Sequence, residues 1–434
     1  MNPQDKKLER KRVRRALTHV GGAVATWGDE LAAQRLAEAL DVAPAEPGPT
    51  GEARASGATQ EGEDPGRAHV HGFHSYPARM HPTTAARLVH AFSEPGELVL
   101  DPFCGSGTVL VEAARLGRRA IGTDLNPLAV ELSRLKVSTP DEAARKALLD
   151  AAEAVRAFAD ERRKARAGAT RRFRPEDVAS FAPHVLLELD SVQAGIVQLA
   201  PEKLRTPLLL VLSAILTKVS ERAADSARYT EKKRVAAGYP AKLFVKKAAE
   251  LCARKAELAA LVEPGTPTPR VYLDDATELR HGKRATVDLV VTSPPYAATY
   301  DYLEHHEDRL RWLGLDARGF EKNELGSRRR YRDKTFAEAK ASWTGELRAV
   351  FATLRRVMKP GADAAFLVAD SAVGNDALWA DELVPAAAEA EQFTLIAAAS
   401  QDRPHFHAPT QGAFRQAPRR EHALLFRSAA ATRR

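Results

Sequence analysis

The sequence predicts a Rossmann-like α/β fold, a doubly wound sheet interrupted by a large helical insertion, and three observations carry that prediction. Glu97-Leu-Val-Leu-Asp101 is a short apolar run that ends in a carboxylate and passes straight into a glycine turn. Arg119-Ala-Ile-Gly-Thr-Asp124 repeats the pattern after one helix-length segment, Thr108 to Leu116, which makes a βαβ unit. From residue 141 to about 262 the strand signals stop. Ala, Leu, Lys and Glu at helical spacing take their place.

Taken in order, residues 1–42 read as a basic, helix-compatible segment. Residues 43–68, rich in Pro, Gly, Ala and acid, read as a flexible linker. Order is expected to resume near His69, opening a cofactor-binding part over 69–140. Asn126-Pro127 starts a helix there, with proline suited to its first turn. The helical insertion spans 141–265 and is expected to act in target recognition or as a lid. Residues 266–434 form the remaining part of the α/β domain. Its strands are expected at Val271 to Asp274, Val287 to Thr292, Asp363 to Ala369, Phe393 to Ala399 and His422 to Phe426. Pro360-Gly361 would mark the turn into the third of these.

The 434 residues, 44% of them hydrophobic, suffice for a substantial core. No run approaches the ~20 apolar residues of a membrane-spanning helix. The charged N-terminus lacks an export-type apolar segment, so a cytoplasmic location is expected. Two cysteines, Cys104 and Cys252, exclude a disulfide framework and a thiolate zinc site. The net charge of +8 suits a polyanionic partner. Basic residues cluster at Arg328, Arg329, Arg330, Arg332 and Lys334, and again at Lys232, Lys233, Arg234, Lys246 and Lys247. Either run is a phosphate-contacting surface or a solvated face.

Asp101-Pro-Phe-Cys-Gly-Ser-Gly-Thr108 lies between a strand and a helix. Gly105 and Gly107 allow a tight turn and close approach of a ligand, and the following helix offers unpaired N–H groups. Asp124, at the end of the second strand, is placed to accept ribose hydroxyls. The third glycine of a dinucleotide fingerprint is missing and no phosphate-binding loop with a lysine occurs, so a nucleoside without a pyrophosphate fits better. Cys104 reads as a small packing residue.

The string DPFCGSGTVLVEAARLGRRAIGTDLNPLAV resembles the cofactor-binding motifs of amino-directed DNA methyltransferases, the cytosine-N4 and adenine-N6 enzymes of the class I S-adenosylmethionine-dependent fold. The resemblance covers residues 69–136 and 271–427. It implies S-adenosylmethionine as cofactor. Asp101 would hold its amino group, the Gly105–Gly107 turn its methionine portion with Phe103 and Thr108 alongside, and Asp124 its ribose. Asp275 would sit by the adenine amine, with Asp274 as the alternative. Tyr76, in the segment His71 to Pro82 that resembles the family's closing segment, would line the cofactor pocket.

Thr292-Ser-Pro-Pro-Tyr296 ends the most apolar strand. Two prolines fix two φ angles and remove two donors, leaving carbonyl acceptors beside a hydroxyl and an aromatic ring. Ser293 and the carbonyl of Pro294, on the rigid turn that Pro295 completes, are assigned to an amino group. Tyr296 is assigned to stacking on a base. Accepting the N–H hydrogens of an exocyclic amine makes its nitrogen nucleophilic, and alignment supplies much of the rate. The tetrapeptide is similar to the family's [DNS]-P-P-[YFW] motif, and Ser at its first position is commonest among cytosine-N4 enzymes. Cytosine-C5 chemistry needs a thiolate after a proline, and neither cysteine is near residue 293.

Thr83 and Thr84 are candidate caps for the helix that follows the closing segment. His71, His74 and His81 have no Cys or carboxylate beside them in sequence, so no metal is assigned. Tyr300 and Tyr302 are candidates to flank a flipped base, whereas Trp312 reads as helix packing. DNA is the expected partner ahead of RNA, with a cognate restriction endonuclease as a candidate second partner. Adenine N6 and an RNA base amine are the alternatives to cytosine N4.

Overall fold

The computed structural model describes residues 22–42, 64–221, 234–404 and 408–430. Its sheet is built from β1 (Val24–Gly28), β2 (Leu98–Asp101), β3 (Arg119–Asp124), β4 (Arg270–Leu273), β5 (Val287–Thr292) and β6 (Met358–Ala369). After the small hairpin of β7 (Ser371–Val373) and β8 (Asp376–Leu378), β9 (Phe393–Asp402) and β10 (Arg420–Ser428) complete it. The strand order is β1-β9-β10-β6-β5-β2-β3-β4. Strands β2 to β6 pair in parallel, and β10 runs antiparallel between β6 and β9.

The chain leaves β2 for β3 on one side and later returns to β5 on the other. A doubly wound sheet opens a crevice at such a reversal, outside the carboxyl ends of the strands. Asp101 and Thr292 are the last residues of β2 and β5, and Asp124 is the last of β3. The topology therefore brings three separate stretches of sequence to one crevice.

Alternation along the strands separates two cores. Val99 and Leu289 join Leu36, Leu88 and Leu110 from α1 (Glu30–Leu40), α2 (Pro82–Phe92) and α3 (Thr108–Arg115) on one face. Leu100, Val290 and Phe366 face the other way, onto α13 (Phe336–Val357) and α14 (Ala380–Ala390). A third core belongs to the inserted helices α5 (Glu142–Lys164), α7 (Pro183–Leu199), α8 (Glu202–Val219) and α9 (Tyr239–Leu261), with Phe181 joining it just after the short α6 (Pro175–Ser180). It also includes Leu128 and Leu132 of α4 (Pro127–Val137) and Leu310 and Trp312 of α10 (Tyr302–Leu313). The inserted helices thus share one packed interior with elements on both sides of the crevice.

Several local expectations need correction. Residues 24–28 lie in the segment read as helical, yet they form an edge strand paired with Gly28 opposite Ala397 and Val24 opposite Gln401. Helix α1 begins only after it, capped by Asp29. Residues 1–21 and 43–63, which hold most of the basic segment and the linker, are outside the described residues, as are Lys232 and Lys233. Pro360-Gly361 does not stop β6 but bulges it. Val287 faces Met358 and Leu289 faces Asp363, so five residues of β6 span two steps of β5. Gly361 at φ +78° supplies the bend, and Pro360 needs no ladder donor there. Helix α2 is capped by His81, whose ring nitrogen accepts from the Thr83 N–H at 3.2 Å, rather than by Thr83 or Thr84. Pro82 occupies the first helical position, which puts the cap one residue before it.

Candidate active site

The floor of the crevice is the loop after β2. Asp101 is buried and its Oδ1 accepts from Thr292 Oγ1 at 2.7 Å and from the Phe103 N–H at 3.1 Å. Asp124 accepts from the Gly105 N–H at 2.9 Å with one oxygen and from the Asn126 N–H at 2.8 Å with the other. Burial lifts the Asp101 carboxyl to about 7 and the Asp124 carboxyl to about 6. Gly105 and Gly107 take φ values of +49° and +84°. Gly105 faces the crevice, where a Cβ would stand 3.3 Å from the ring of Tyr76. Gly107 does not line the crevice. It starts α3 and presses on α4, where a Cβ would meet Ser133 Oγ at 2.9 Å.

The closing segment forms the facing wall through Tyr76, Ala78, Arg79 and Met80. Tyr76 stacks on His306 of α10 with ring centroids 4.9 Å apart. Asn126 ties the two walls together. Its Oδ1 caps α4, while its amide lies 3.0 Å from His306 Nδ1 and donates to Tyr76 Oη at 3.4 Å. Phe103, Cys104 and Thr108 also line the crevice, and Cys104 is buried against Gly122.

Ser293 and Pro295 reach the crevice, whereas Pro294 and Tyr296 do not line it. The Tyr296 hydroxyl stands 3.4 Å from Ser293 Oγ, and its ring packs against the core beneath α13 and α14. The turn is braced by Gly326, whose carbonyl accepts from the Ala298 N–H at 2.9 Å. A Cβ on Gly326 would stand 3.1 Å from the Pro295 carbonyl oxygen, and its φ is +63°. Gly326→Ala is therefore expected to lower the melting temperature and displace the turn, costing about 1–3 kcal/mol in thermal denaturation. Of the two acidic candidates beyond β4, Asp274 lines the crevice and Asp275 does not. Asp275 instead accepts from the N–H and hydroxyl of Thr277, at 2.8 and 2.7 Å.

Sequence reasoning missed Phe320 and Glu324, which close the end of the crevice beside Ser293 and Tyr302. Glu324 Oε1 accepts from the Tyr302 N–H at 2.7 Å, and burial lifts its carboxyl to about 7. The signal available was an acid just ahead of a run of arginines. Tyr300 does not line the crevice, and Trp312 is buried with its indole N–H donating to Asp177 at 3.0 Å.

The basic stretch divides. Arg329 pairs with Glu324 at 3.0 Å and Arg330 with Glu346 at 3.3 Å, and both also donate to backbone carbonyls. These two brace the turn around Gly326. Arg328 and Arg332 are exposed, Lys334 is half-buried, and none of the three pairs with a carboxylate among the described residues. Lys247, from the second cluster, is buried beside Glu250 and over the ring of Phe73. The histidines also depart from expectation. Glu112 of α3 brings a carboxylate to His71 at 2.7 Å, a partner 41 residues away in sequence.

The crevice holds about 840 Å³ of space free of protein atoms, its open side included. Once ionised, the two carboxyls accept from hydroxyl and ammonium donors. The buried Thr108 Oγ1, which has no hydrogen-bond partner among the described residues, is available to a ligand at the start of α3. These features fit a nucleoside carrying a cationic amino acid tail.

A family described as DNA methylase matches residues 49–134, the stretch that carries the loop and both carboxylates. The type II methyltransferase M.MjaII of Methanocaldococcus jannaschii is 34% identical over 83 residues, 19% of this chain. The type II methyltransferase M.MvaI of Kocuria varians is 40% identical over 76 residues, 17% of this chain. A tRNA (guanine(10)-N2)-dimethyltransferase of Methanothermobacter thermautotrophicus is 40% identical over 60 residues, 14% of this chain. The matched stretches span 16%, 16% and 18% of the lengths of those three relatives. Residues 49–134, which carry the switch-point loop and its two carboxylates, are thus similar to the DNA methylase family and to type II DNA methyltransferases.

Proposed function

We propose that the chain transfers a methyl group to an exocyclic amine of a DNA base, cytosine N4 first. The observation that carries this reading is the meeting of Ser293 and Pro295 with Asp101 and Asp124 in one crevice, from strands far apart in sequence. Bound there, S-adenosylmethionine supplies a methyl group activated on a sulfonium. The residues do the rest. Asp101 and Asp124 hold the amino end and ribose, and Asp274 rather than Asp275 is the acid near the adenine. Ser293 Oγ accepts from the target amine, which frees the nitrogen lone pair for in-line attack, while Pro294, which does not line the crevice, fixes the turn. Tyr302 and Phe320 take over from Tyr296 the role of flanking the base. Tyr296 instead orients Ser293 through its hydroxyl. A stacked base cannot enter such a crevice, so flipping or a single strand is required.

Incubation with methyl-labelled S-adenosylmethionine and separate pools of duplex DNA, single-stranded DNA and tRNA, followed by nucleoside mass analysis, tests the reading. N4-methylcytosine from DNA is expected. N6-methyladenine would keep the chemistry and replace the base. Label in tRNA alone would turn the substrate toward that of the dimethyltransferase relative. Ser293→Ala is expected to lower turnover about 10- to 100-fold, because one acceptor at the reacting amine is lost. Its cofactor affinity in calorimetry should be unchanged, and an equal loss of both would remove Ser293 from the amine.

The cationic side chains of Arg328, Arg332 and Lys334 are assigned to backbone phosphates. Arg332→Ala and Lys334→Ala should each reduce the slope of log affinity against log salt by about 1 for DNA. Arg329→Ala and Arg330→Ala should instead lower thermal stability, since those residues brace the turn.

A further inference from the structure

Behind the closing segment lies a second cluster of side chains that the crevice does not use. His69 and His71 sit in the 3-10 turn His69–Gly72, and Glu112 projects from α3. All three are buried, and one ligand-capable atom from each lies within 4.8 Å of the other two. His71 Nε2 is 2.7 Å from Glu112 Oε1, and the two imidazole centroids are 4.6 Å apart.

Four features make this a prepared site rather than a chance meeting. The backbone of the turn is clamped by guanidinium groups. Arg79 donates to the His71 carbonyl at 2.6 Å, and Arg254 donates to the carbonyls of Arg67 and His69 at 2.5 and 2.9 Å. His69 is held at φ +33°, a conformation that a residue with a Cβ keeps only where its surroundings enforce it. The outer oxygen of Glu112 is fixed by Arg115 at 2.6 Å, which orients the inner oxygen toward the histidines as outer partners of metal ligands do. Lastly, an open groove lined by His69, Glu112, Arg115 and Glu257 leads from the surface to the cluster, giving an entry path and a free coordination position.

We propose that His69, His71 and Glu112 bind one divalent d-block cation, of the zinc and cobalt type, in a site separate from the cofactor crevice. Two imidazoles and one carboxylate, with an open fourth position, are the donor set such ions take. The ion replaces the His71–Glu112 hydrogen bond and ties α3 to the segment that leads into Tyr76, Arg79 and Met80. Occupancy therefore stiffens one wall of the crevice. That last coupling rests on the cofactor assignment above, whereas ion binding does not.

The test is a titration of metal-stripped full-length protein with cobalt(II), read by visible absorption. Saturation at one equivalent is expected, with the intense bands of a four-coordinate ion and their displacement by zinc. Glu112→Gln and His69→Gln should abolish saturation while circular dichroism shows a folded chain. His69→Gln, at the groove, keeps the test open if the α3 variant does not fold. His422→Gln probes the other group of potential ligands among the described residues, Asp370, Asp381 and His422, and should leave binding intact. Absence of saturable absorption, persistence in His69→Gln, or loss in His422→Gln alone would each overturn the proposal. A zinc-dependent gain of about tenfold in S-adenosylmethionine affinity would support the coupling. No gain with cobalt binding intact would remove the coupling and leave the site.

Discussion

Affinity for S-adenosylmethionine is expected to rise about tenfold or more from pH ~5.5 to pH ~7.5 and then to level off. The cause is the pair of carboxyls on the crevice floor, lifted to about 7 at Asp101 and about 6 at Asp124, chiefly by burial. A cationic amino group favours the ionised form of Asp101, so binding must expel a proton wherever that residue is still protonated. Proton loss on binding means affinity that increases with pH until both groups are already ionised. The stability of the free protein should move the opposite way. Each folded-state value lies above that of the unfolded chain, so the fold holds extra protons through this window and loses stability as pH climbs from ~4 to ~7. Calorimetry across the range, paired with melting curves, reads both slopes. Asp101→Asn should flatten the upper part of the affinity profile. A flat or falling wild-type profile would remove the carboxyls from cofactor binding.

A second large effect is expected at Asp124. Its two oxygens hold the Gly105 and Asn126 N–H groups, so Asp124→Ala strips the loop of its anchor as well as the acceptor proposed for the ribose. Each abandoned N–H costs about 1–3 kcal/mol, and cofactor affinity should fall by about 100-fold or more. Asp124→Asn keeps one acceptor oxygen and should fall between. Isothermal calorimetry decides the matter. Near-normal binding by Asp124→Ala would show that the loop conformation does not depend on this carboxylate.

The sheet and the loop after β2 were legible because they are local. A strand ending in Asp, a glycine turn and a capped helix are written within consecutive residues, and β3 lies at Arg119–Asp124 as its pattern predicts. What escaped was set by distance. Glu324 and Phe320 reach the crevice because α11 (Arg318–Asn323) folds back over it, and nothing in their neighbours announces that. Glu112 meets His71 only because α3 packs beside the closing segment. Asp274 and Asp275 are adjacent and chemically identical, so only the turn after β4 decides which one faces inward. The edge strand β1 was missed for the same reason. Val-Ala-Thr-Trp-Gly is too short to declare itself without β9 beside it.

The position of β10 also bears on how the molecule is made. It follows β6 and β9 in the chain yet lies between them in the sheet. During synthesis β6 and β9 therefore emerge before the strand that joins them, and each waits with an unpaired row of backbone groups. Such edges are templates for pairing with other chains. β1 waits as well, since among the described residues its strand partner is β9 alone. The nascent protein thus stays vulnerable to self-association until Arg420–Ser428 leaves the ribosome, and then a single strand seals both edges at once.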